Sequence, residues 1–237
     1  MVMAEALPRR AAAEFVGTAA LVAVIVGSGI RASGLSEDVG VRLLANSLAS
    51  AIGLGLLIAL FAPVSGAHLN PVVTLCLWWT RPRGAPGGPA GREVALYLSA
   101  QLAGAVTGAL LAEAMFGRLP GGWSTQVRSA GHLLLGETVA TAGLVLLVQG
   151  LDRTGRARLA AVAVAAYTAA AIWFTSSGSF ANPAATVGRS LTDSFTGIAP
   201  ASLPGFVAAQ LLGGALGVGL AALLYGGRPP SAARPPR

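Results

Sequence analysis

Two stretches set the architecture of this chain, SGAHLNPVVTL at Ser65–Leu75 and SGSFANPAATV at Ser177–Val187. They align without a gap, and the Asn-Pro pair at position 182 follows the pair at position 70 at an offset of 112 residues. Asn is a favoured N-cap, and Pro is tolerated at the first helical position because the N–H that it lacks would be unpaired there anyway. Each stretch therefore predicts a helix too short to cross a bilayer, within His68–Trp79 and Phe180–Leu191.

The sequence around these stretches also repeats in the same order. AEFVGTAALVAVIVG, which contains Glu14, resembles GETVATAGLVLLVQG, which contains Glu137, and the segment around Gln101 resembles that around Gln210. Each half holds three apolar segments, so the second copy must enter the membrane from the opposite face, as an inverted-topology repeat does. Six segments approach the length needed to span, and the fifth must borrow residues from either end: Ala11–Ile30, Leu43–Phe61, Val94–Phe116, Leu133–Leu151, Leu159–Phe174 and Phe206–Tyr225.

The composition favours lipid over water as the surroundings of these helices. Of 237 residues, 54% are apolar and only 11% are charged, with a mean hydropathy of +0.69. A soluble domain carries about 25% charged residues. We therefore predict an all-α membrane protein with six transmembrane helices, two re-entrant half-helices and an inverted 3+3 repeat. Cys76 is the only cysteine, so no internal disulfide can form and no metal site is indicated.

All sixteen basic residues are arginines, and the net charge is +7. They lie between apolar segments and form no basic patch, which argues against nucleic acid as a partner. The positive-inside rule explains them better and favours a multi-pass protein of the cell membrane with both termini cytoplasmic. In that orientation only five arginines fall on external segments, namely Arg31, Arg42, Arg118, Arg128 and Arg189.

Ionisable and amide side chains recur at matched positions within the spans. A carboxylate inside a span is costly and is usually functional or supporting. Glu14 and Glu137 are expected to accept hydrogen bonds from backbone N–H groups of the adjoining half-helix loop, although a position near the headgroups is an alternative for Glu14. Gln101 and Gln210 either support the same loops or hold helices together.

These residues match the signatures of a known family. SGAHLNPVVTL and the second Asn-Pro-Ala, at 182–184, resemble the paired signatures of aquaporins and glycerol facilitators, and the resemblance extends from about Ala11 to Tyr225. It implies a homotetramer with a pore in each subunit, and it implies that the amides of Asn70 and Asn182 donate hydrogen bonds to passing solute. It also implies that backbone carbonyls form a polar rail along the pore, at Gly66, Ala67, His68, Gly178, Ser179, Phe180 and Ala181.

The chain departs from the family pattern in both motifs. The first motif, Asn70-Pro71-Val72, has Val in place of Ala, and the second, Asn182-Pro183-Ala184, is followed by Ala185 where the family usually has Arg. That Arg normally narrows the outer mouth of the pore. Counting from the motifs, the other filter positions are Ser50, Ala170 and Ser179, with Tyr167 as a substitute for Ala170. A filter of such small residues predicts a wide, mildly polar mouth.

Arg189 lies four residues beyond Ala185, on roughly the same face of a half-helix. It either reaches back and restores charge to the outer mouth or pairs with Asp193 as an ordinary helix pair. The pairing with Asp193 is the preferred interpretation.

The sequence thus predicts a passive channel for water and small uncharged solutes, suited to glycerol-like molecules or metalloid hydroxides such as arsenite. The alternatives are a water-selective channel and, from another class, an ion-coupled transporter that uses Glu14 and Glu137. No catalytic constellation is apparent, so neither an enzyme nor a cofactor or metal is expected. The expected partners are the bilayer, water, neutral solutes and further copies of the chain.

Five segments follow from this interpretation. They are a cytoplasmic leader (1–10), a first repeat (11–116), a connecting external loop (117–132), a second repeat (133–225) and a disordered cytoplasmic tail (226–237).

Overall fold

The fold is described from a computed structural model, which covers residues 6–80, 91–119 and 121–226. The expectations for the start of the leader, for the loop between the first short segment and the third span, and for most of the tail lie outside these residues. The described chain forms eight α-helices: α1 (Leu7–Leu35), α2 (Val39–Ser65), α3 (Pro71–Thr80), α4 (Gly91–Met115), α5 (Gly131–Arg153), α6 (Ala160–Phe174), α7 (Pro183–Arg189) and α8 (Leu203–Tyr225).

Six of these helices are long and apolar enough to cross a membrane, which confirms the predicted number of spans. The fifth borrows its missing length at its start, because a 3₁₀ turn at Ala157–Leu159 runs directly into α6. A second 3₁₀ turn, Pro200–Ser202, leads into α8. Because the described chain has six spans, the start of α1 and the end of α8 lie on one face, which we call the terminal face, and the opposite one is the distal face.

The two short helices begin at the proline of each Asn-Pro pair. In α3, the Asn70 Oδ1 accepts a hydrogen bond from Val72 N at 2.9 Å. In α7, the Asn182 Oδ1 accepts from Ala184 N at 3.0 Å and from Ala185 N at 3.2 Å. The side chains thus satisfy backbone donors that have no partner within the helix, as the sequence predicts.

Packing between the helices follows the repeat. The helix α1 packs against α4 as α5 packs against α8, and each short helix contacts both α4 and α8. The two halves also meet through α2 and α6. The all-helical architecture of six spans and two short re-entrant helices therefore agrees with the predicted fold class.

Small residues set the distance between the paired helices. A methyl group at Gly108 of α4 would overlap the carbonyl oxygen of Ala19 in α1. The matched Gly217 of α8 also lies close to α5, where a methyl group would approach the carbonyl oxygen of Ala142 at 2.6 Å. Glycine is required here so that the two backbones can approach.

We expect Gly108→Ala to destabilise the protein because α1 and α4 must separate to admit the methyl group, at a cost of about 1–3 kcal/mol. Gly219→Ala is the matched control, since no atom lies within 4 Å of a methyl group built on that α8 glycine. Thermal unfolding in detergent measures both variants. An equal melting temperature for the two would contradict the close approach.

Candidate functional site

A cavity of about 450 Å³ runs between the two repeats. Both loops that precede the short helices line it, at residues 66–70 and 175–182, together with side chains of α1, α2, α5 and α6. Both motif asparagines, Asn70 and Asn182, lie on its wall. The cavity therefore passes the point where the two short helices meet.

Both loops hold their backbone in an uncommon conformation. Ala67 and Leu69 have φ of 48° and 49°, and the matched Ser179 and Ala181 have φ of 48° and 45°. A left-handed conformation costs a non-glycine residue roughly 1–2 kcal/mol. The surroundings of both loops must therefore hold them in place.

Glu14 supplies this support in the first repeat. Its carboxylate is fully buried and accepts hydrogen bonds from His68 N at 2.9 Å, Leu69 N at 2.7 Å and Ser65 Oγ at 2.6 Å. The Gln101 Nε2 donates to it at 2.7 Å. Glu14 is thus bonded to the loop rather than placed at the headgroups.

Glu137 makes the matching contacts in the second repeat. It is fully buried and accepts from Phe180 N at 2.8 Å, Ala181 N at 2.9 Å and Gln210 Nε2 at 2.8 Å. Neither glutamate lines the cavity. Carboxylates that are saturated by loop donors and lie away from the solute path are poorly placed to bind a coupling ion.

Both glutamines contact the short helix as well as the glutamate. The Gln101 Nε2 donates to Thr74 Oγ1 at 3.0 Å, and the Gln210 Nε2 donates to Thr186 Oγ1 at 2.8 Å. Each amide thus joins a carboxylate to a hydroxyl of α3 or α7. Each glutamine therefore bonds neighbouring helices directly and reaches the loop only through its glutamate, so its contacts agree with both of the roles considered for it.

The hydrogen bonds to the glutamates also orient the polar rail. In a trans peptide the C=O points opposite to the N–H that follows it. Because the N–H groups of residues 68, 69, 180 and 181 point at carboxylates, the preceding carbonyls point away from them, toward the cavity that these residues line. This is the orientation that the predicted polar rail requires of the carbonyls of Ala67, His68, Ser179 and Phe180.

The Ala181 carbonyl has a different partner. It accepts a hydrogen bond from Asn70 Nδ2 at 2.8 Å, and the Leu69 carbonyl accepts from Asn182 Nδ2 at 2.8 Å. The two loops are therefore cross-linked through their asparagines. Because an amide carries two N–H donors, one N–H of each asparagine has no partner among the described residues, and both side chains lie on the cavity wall.

We expect Asn182→Ala to lower the melting temperature in detergent by several degrees, because it removes the α7 cap and the bond to Leu69. The loss of a cap costs about 1 kcal/mol, and a net hydrogen bond about another 1 kcal/mol. Asn182→Ser keeps a capping oxygen and loses the bond to Leu69 without adding a charge, so it should lose less. A melting temperature for Asn182→Ala equal to that of the parent protein would contradict these roles.

The other motif residues pack away from the path. Val72 lies in a buried cluster with Cys76 and Val145, and Ala184 packs with residues of α1 and α4. Pro71 and Pro183 are buried and likewise absent from the cavity wall. The Val in the first motif therefore leaves the lining unchanged.

Three of the four predicted filter residues line the cavity, namely Ser50, Ser179 and Ala185. The prediction for Ala170 is wrong, because this residue lies on the exposed outer side of α6. Its neighbours Tyr167 and Thr168 line the cavity instead, with Ile172 and Trp173. The Tyr167 hydroxyl donates to Ala140 O at 2.8 Å, which holds it against α5.

Arg189 does not pair with Asp193, so the preferred interpretation of this residue is wrong. The Asp193 carboxylate accepts from Thr125 N at 2.9 Å, and the Arg189 Nε donates to Thr196 O at 2.5 Å. The Arg189 guanidinium lies over the Phe180 ring, 3.2 Å from its centroid, and lines the cavity. Because α7 ends at Arg189, Asp193 is not on the same helix.

Sequence reasoning missed a second arginine on the cavity wall. Arg128, in the connection between α4 and α5, lines the cavity with its guanidinium 5.4 Å from the Phe180 centroid. Burial lowers the pKa of Arg128, and the Glu137 charge partly offsets this. The sequence marks Arg128 only as one of five arginines outside the spans on the external side, with no spacing that links it to a motif.

Comparisons with known proteins agree with this architecture. The model of the major intrinsic protein family matches residues 2–160. Aquaglyceroporin AqpS of Rhizobium meliloti (strain 1021) is 44% identical over 207 residues, covering 87% of this chain and 86% of that protein. Aquaporin AqpM of Methanothermobacter marburgensis is 31% identical over 245 residues, covering 92% and 96%.

A solved structure is similar over almost the same extent. The X-ray structure of the aquaglyceroporin from Plasmodium falciparum superposes with a TM-score of 0.69 at 21% identity, covering 93% of this chain and 96% of that chain. This likeness supports the fold, and the family model and sequence relatives support the family. The chain therefore belongs to the major intrinsic protein family and is a multi-pass membrane channel for the passive movement of water or small solutes.

Proposed function

We propose that this channel passes uncharged solutes larger than water, of the glycerol class or metalloid hydroxides such as arsenite. The observation that carries the proposal is Ala185, which lines the cavity where the family pattern places Arg. Ser50 and Ser179 add two further small side chains to the lining. Together they favour a wide, mildly polar passage.

The lining suits neutral, hydrogen-bonding solutes. Carbonyls of both loops accept hydrogen bonds, and the remaining N–H groups of Asn70 and Asn182 donate them, so a solute exchanges part of its hydration for these contacts. The N-terminal ends of α3 and α7 meet at the asparagines. Their partial positive charges oppose cations at that point.

The relatives support a solute of this class. AqpS and the superposed solved structure are both named aquaglyceroporins. We extend this to arsenite because a neutral hydroxide such as As(OH)₃ presents hydroxyl groups, as glycerol does, to the same donors and acceptors.

The assembly and orientation are part of the same proposal. We propose a homotetramer in the cell membrane with the terminal face cytoplasmic. A stripe of exposed apolar side chains on α2 supports contact with lipid or with another copy, at Leu44, Leu48, Ile52, Leu56 and Leu60.

A water-selective channel is the second candidate, because two arginines and an aromatic side chain reach the distal mouth. Arg128, Arg189 and Phe195 all line the cavity, and large side chains there narrow a passage.

The proposed function is tested by measuring the entry of arsenite and glycerol into reconstituted liposomes, with proton and sodium gradients present or abolished. Entry that is independent of the gradients supports the proposal, and entry that requires a gradient would favour coupled transport.

A further inference from the structure

Two guanidinium groups converge on one aromatic ring at the distal mouth. Arg189 is 8% exposed and lies 3.2 Å from the Phe180 centroid, and the Arg128 guanidinium lies 5.4 Å from the same centroid. The ring belongs to the loop whose carbonyls line the path. A ring face attracts cations, so Phe180 holds both groups beside the solute path.

Separate segments of the chain fix the two arginines. Arg189 donates through Nε to Thr196 O, in the connection between α7 and α8. Arg128 donates through Nε to Gly197 O at 3.0 Å and through Nη2 to Gln126 Oε1 at 3.1 Å. These contacts hold both guanidinium groups by carbonyl oxygens and not by carboxylates.

Neither arginine forms an ion pair within the part of the chain that the structure describes. Asp193 is bonded to Thr125, and Glu137 lies behind the loop on the N–H groups of Phe180 and Ala181. A buried charge without a carboxylate partner is costly and marks a functional position in a membrane protein.

Both arginines keep donors for a solute. A guanidinium has five N–H donors. Among the described residues, Arg189 donates only through Nε, so the four N–H donors of its two Nη groups have no partner there. Arg128 keeps its Nη1 group in the same way. Both side chains line the cavity, so these planar donor groups are available to paired oxygens of a solute.

We propose that Arg128 and Arg189, held on Phe180, form the charged filter of this channel, one helical turn outward from Ala185. The pair rejects cations and protons, and it donates hydrogen bonds to compact neutral solutes with hydroxyl or oxo oxygens on one centre or on adjacent carbons. The pore thus combines a cationic distal mouth with the small side chains of Ser50, Ser179 and Ala185 on the cavity wall. This inference rests on the proposed function, since it names how the same pore selects its solute.

The test measures proton conductance and glycerol entry in liposomes that contain the full chain. In the double variant Arg128→Gln/Arg189→Gln, proton conductance should rise at least about ten-fold, the factor that corresponds to about 1.4 kcal/mol of barrier. Arg31→Gln is the matched control, because Arg31 is an exposed arginine at the distal end of α1 and lies outside this cavity. It should leave the proton conductance unchanged.

A lysine double variant, Arg128→Lys/Arg189→Lys, keeps both charges and removes the planar donors. It should exclude protons as the parent protein does, while its preference for glycerol over water falls. If the lysine variant leaks as much as the glutamine variant, or if neither differs from the parent protein, the proposed filter is wrong. If glycerol does not enter through the parent protein, the proposed function is wrong, and the proton conductance of the variants alone then tests the proposed filter.

Discussion

Replacing Glu14 with leucine is expected to abolish water and solute flux and to prevent recovery of a folded protein from detergent. The carboxylate accepts hydrogen bonds from Ser65, His68, Leu69 and Gln101, all of which lose their acceptor at once. Each buried donor left without a partner costs about 1–3 kcal/mol. The sum approaches the whole stability of a typical domain, about 5–15 kcal/mol.

The loop that Glu14 holds adds to this effect. Ala67 and Leu69 adopt left-handed conformations, so an unsupported loop relaxes away from the cavity and takes the rail carbonyls with it. Glu14→Gln keeps the size of the side chain but turns one acceptor into a donor, and it should also fail, though less completely.

Glu37→Gln is the control for loss of a carboxylate. Glu37 is 98% exposed and contacts only Arg42 at the surface, where an ion pair contributes little. Monodispersity in detergent, melting temperature and water flux are measured on all three variants. Normal water flux through Glu14→Leu would show that the loop keeps its conformation without the Glu14 carboxylate and would contradict the account of the site.

The second large effect is expected from Ala185→Arg. This change places a guanidinium on the cavity wall one turn inward from Arg189, where the side chain is now a methyl group. Glycerol permeability should fall at least about ten-fold, which corresponds to about 1.4 kcal/mol of barrier. Water permeability should fall much less, because a water molecule fits through a narrower passage than glycerol does.

Two further variants separate the effects of size and position. Ala185→Val adds bulk without charge and should reduce glycerol entry only in part. Ala170→Val is the matched control, since Ala170 lies on the exposed outer side of α6, and it should behave like the parent protein. A glycerol-to-water ratio that Ala185→Arg leaves unchanged would mean that the constriction lies elsewhere, at Arg189 or Tyr167.

The parts of the site that could be predicted from the sequence are those that the repeat fixes. An Asn-Pro pair predicts the start of a helix, because Asn caps the helix and Pro suits its first position. Its second occurrence shows which residues of the two repeats occupy matching positions. The same reasoning placed Glu14 with Glu137 and Gln101 with Gln210, and the contacts of each pair match across the repeats.

The filter residues outside the motifs could not be placed in this way. The helix α6 consists mainly of alanine and other apolar residues, so no polar position fixes which face meets the cavity. An irregular stretch also separates it from the second motif, which removes the helical register as a guide. The sequence therefore does not show that Ala170 lies on the outer side of α6 and that Thr168 faces the cavity.

The arginines at the distal mouth were missed or misjudged for a related reason. A spacing of four residues predicts contact only within a continuous helix, and α7 ends at Arg189. Arg128 lies in a connection without periodicity, so only tertiary contacts to Gly197 and Phe180 reveal its place.

The central claim is that this channel admits uncharged solutes larger than water past the small side chains of Ser50, Ser179 and Ala185. Stopped-flow light scattering of reconstituted liposomes, comparing glycerol with water, tests it most directly. The account predicts that glycerol and water both enter far faster than into empty liposomes. Fast water movement with glycerol entry no faster than into empty liposomes would contradict it and would identify a water-selective channel.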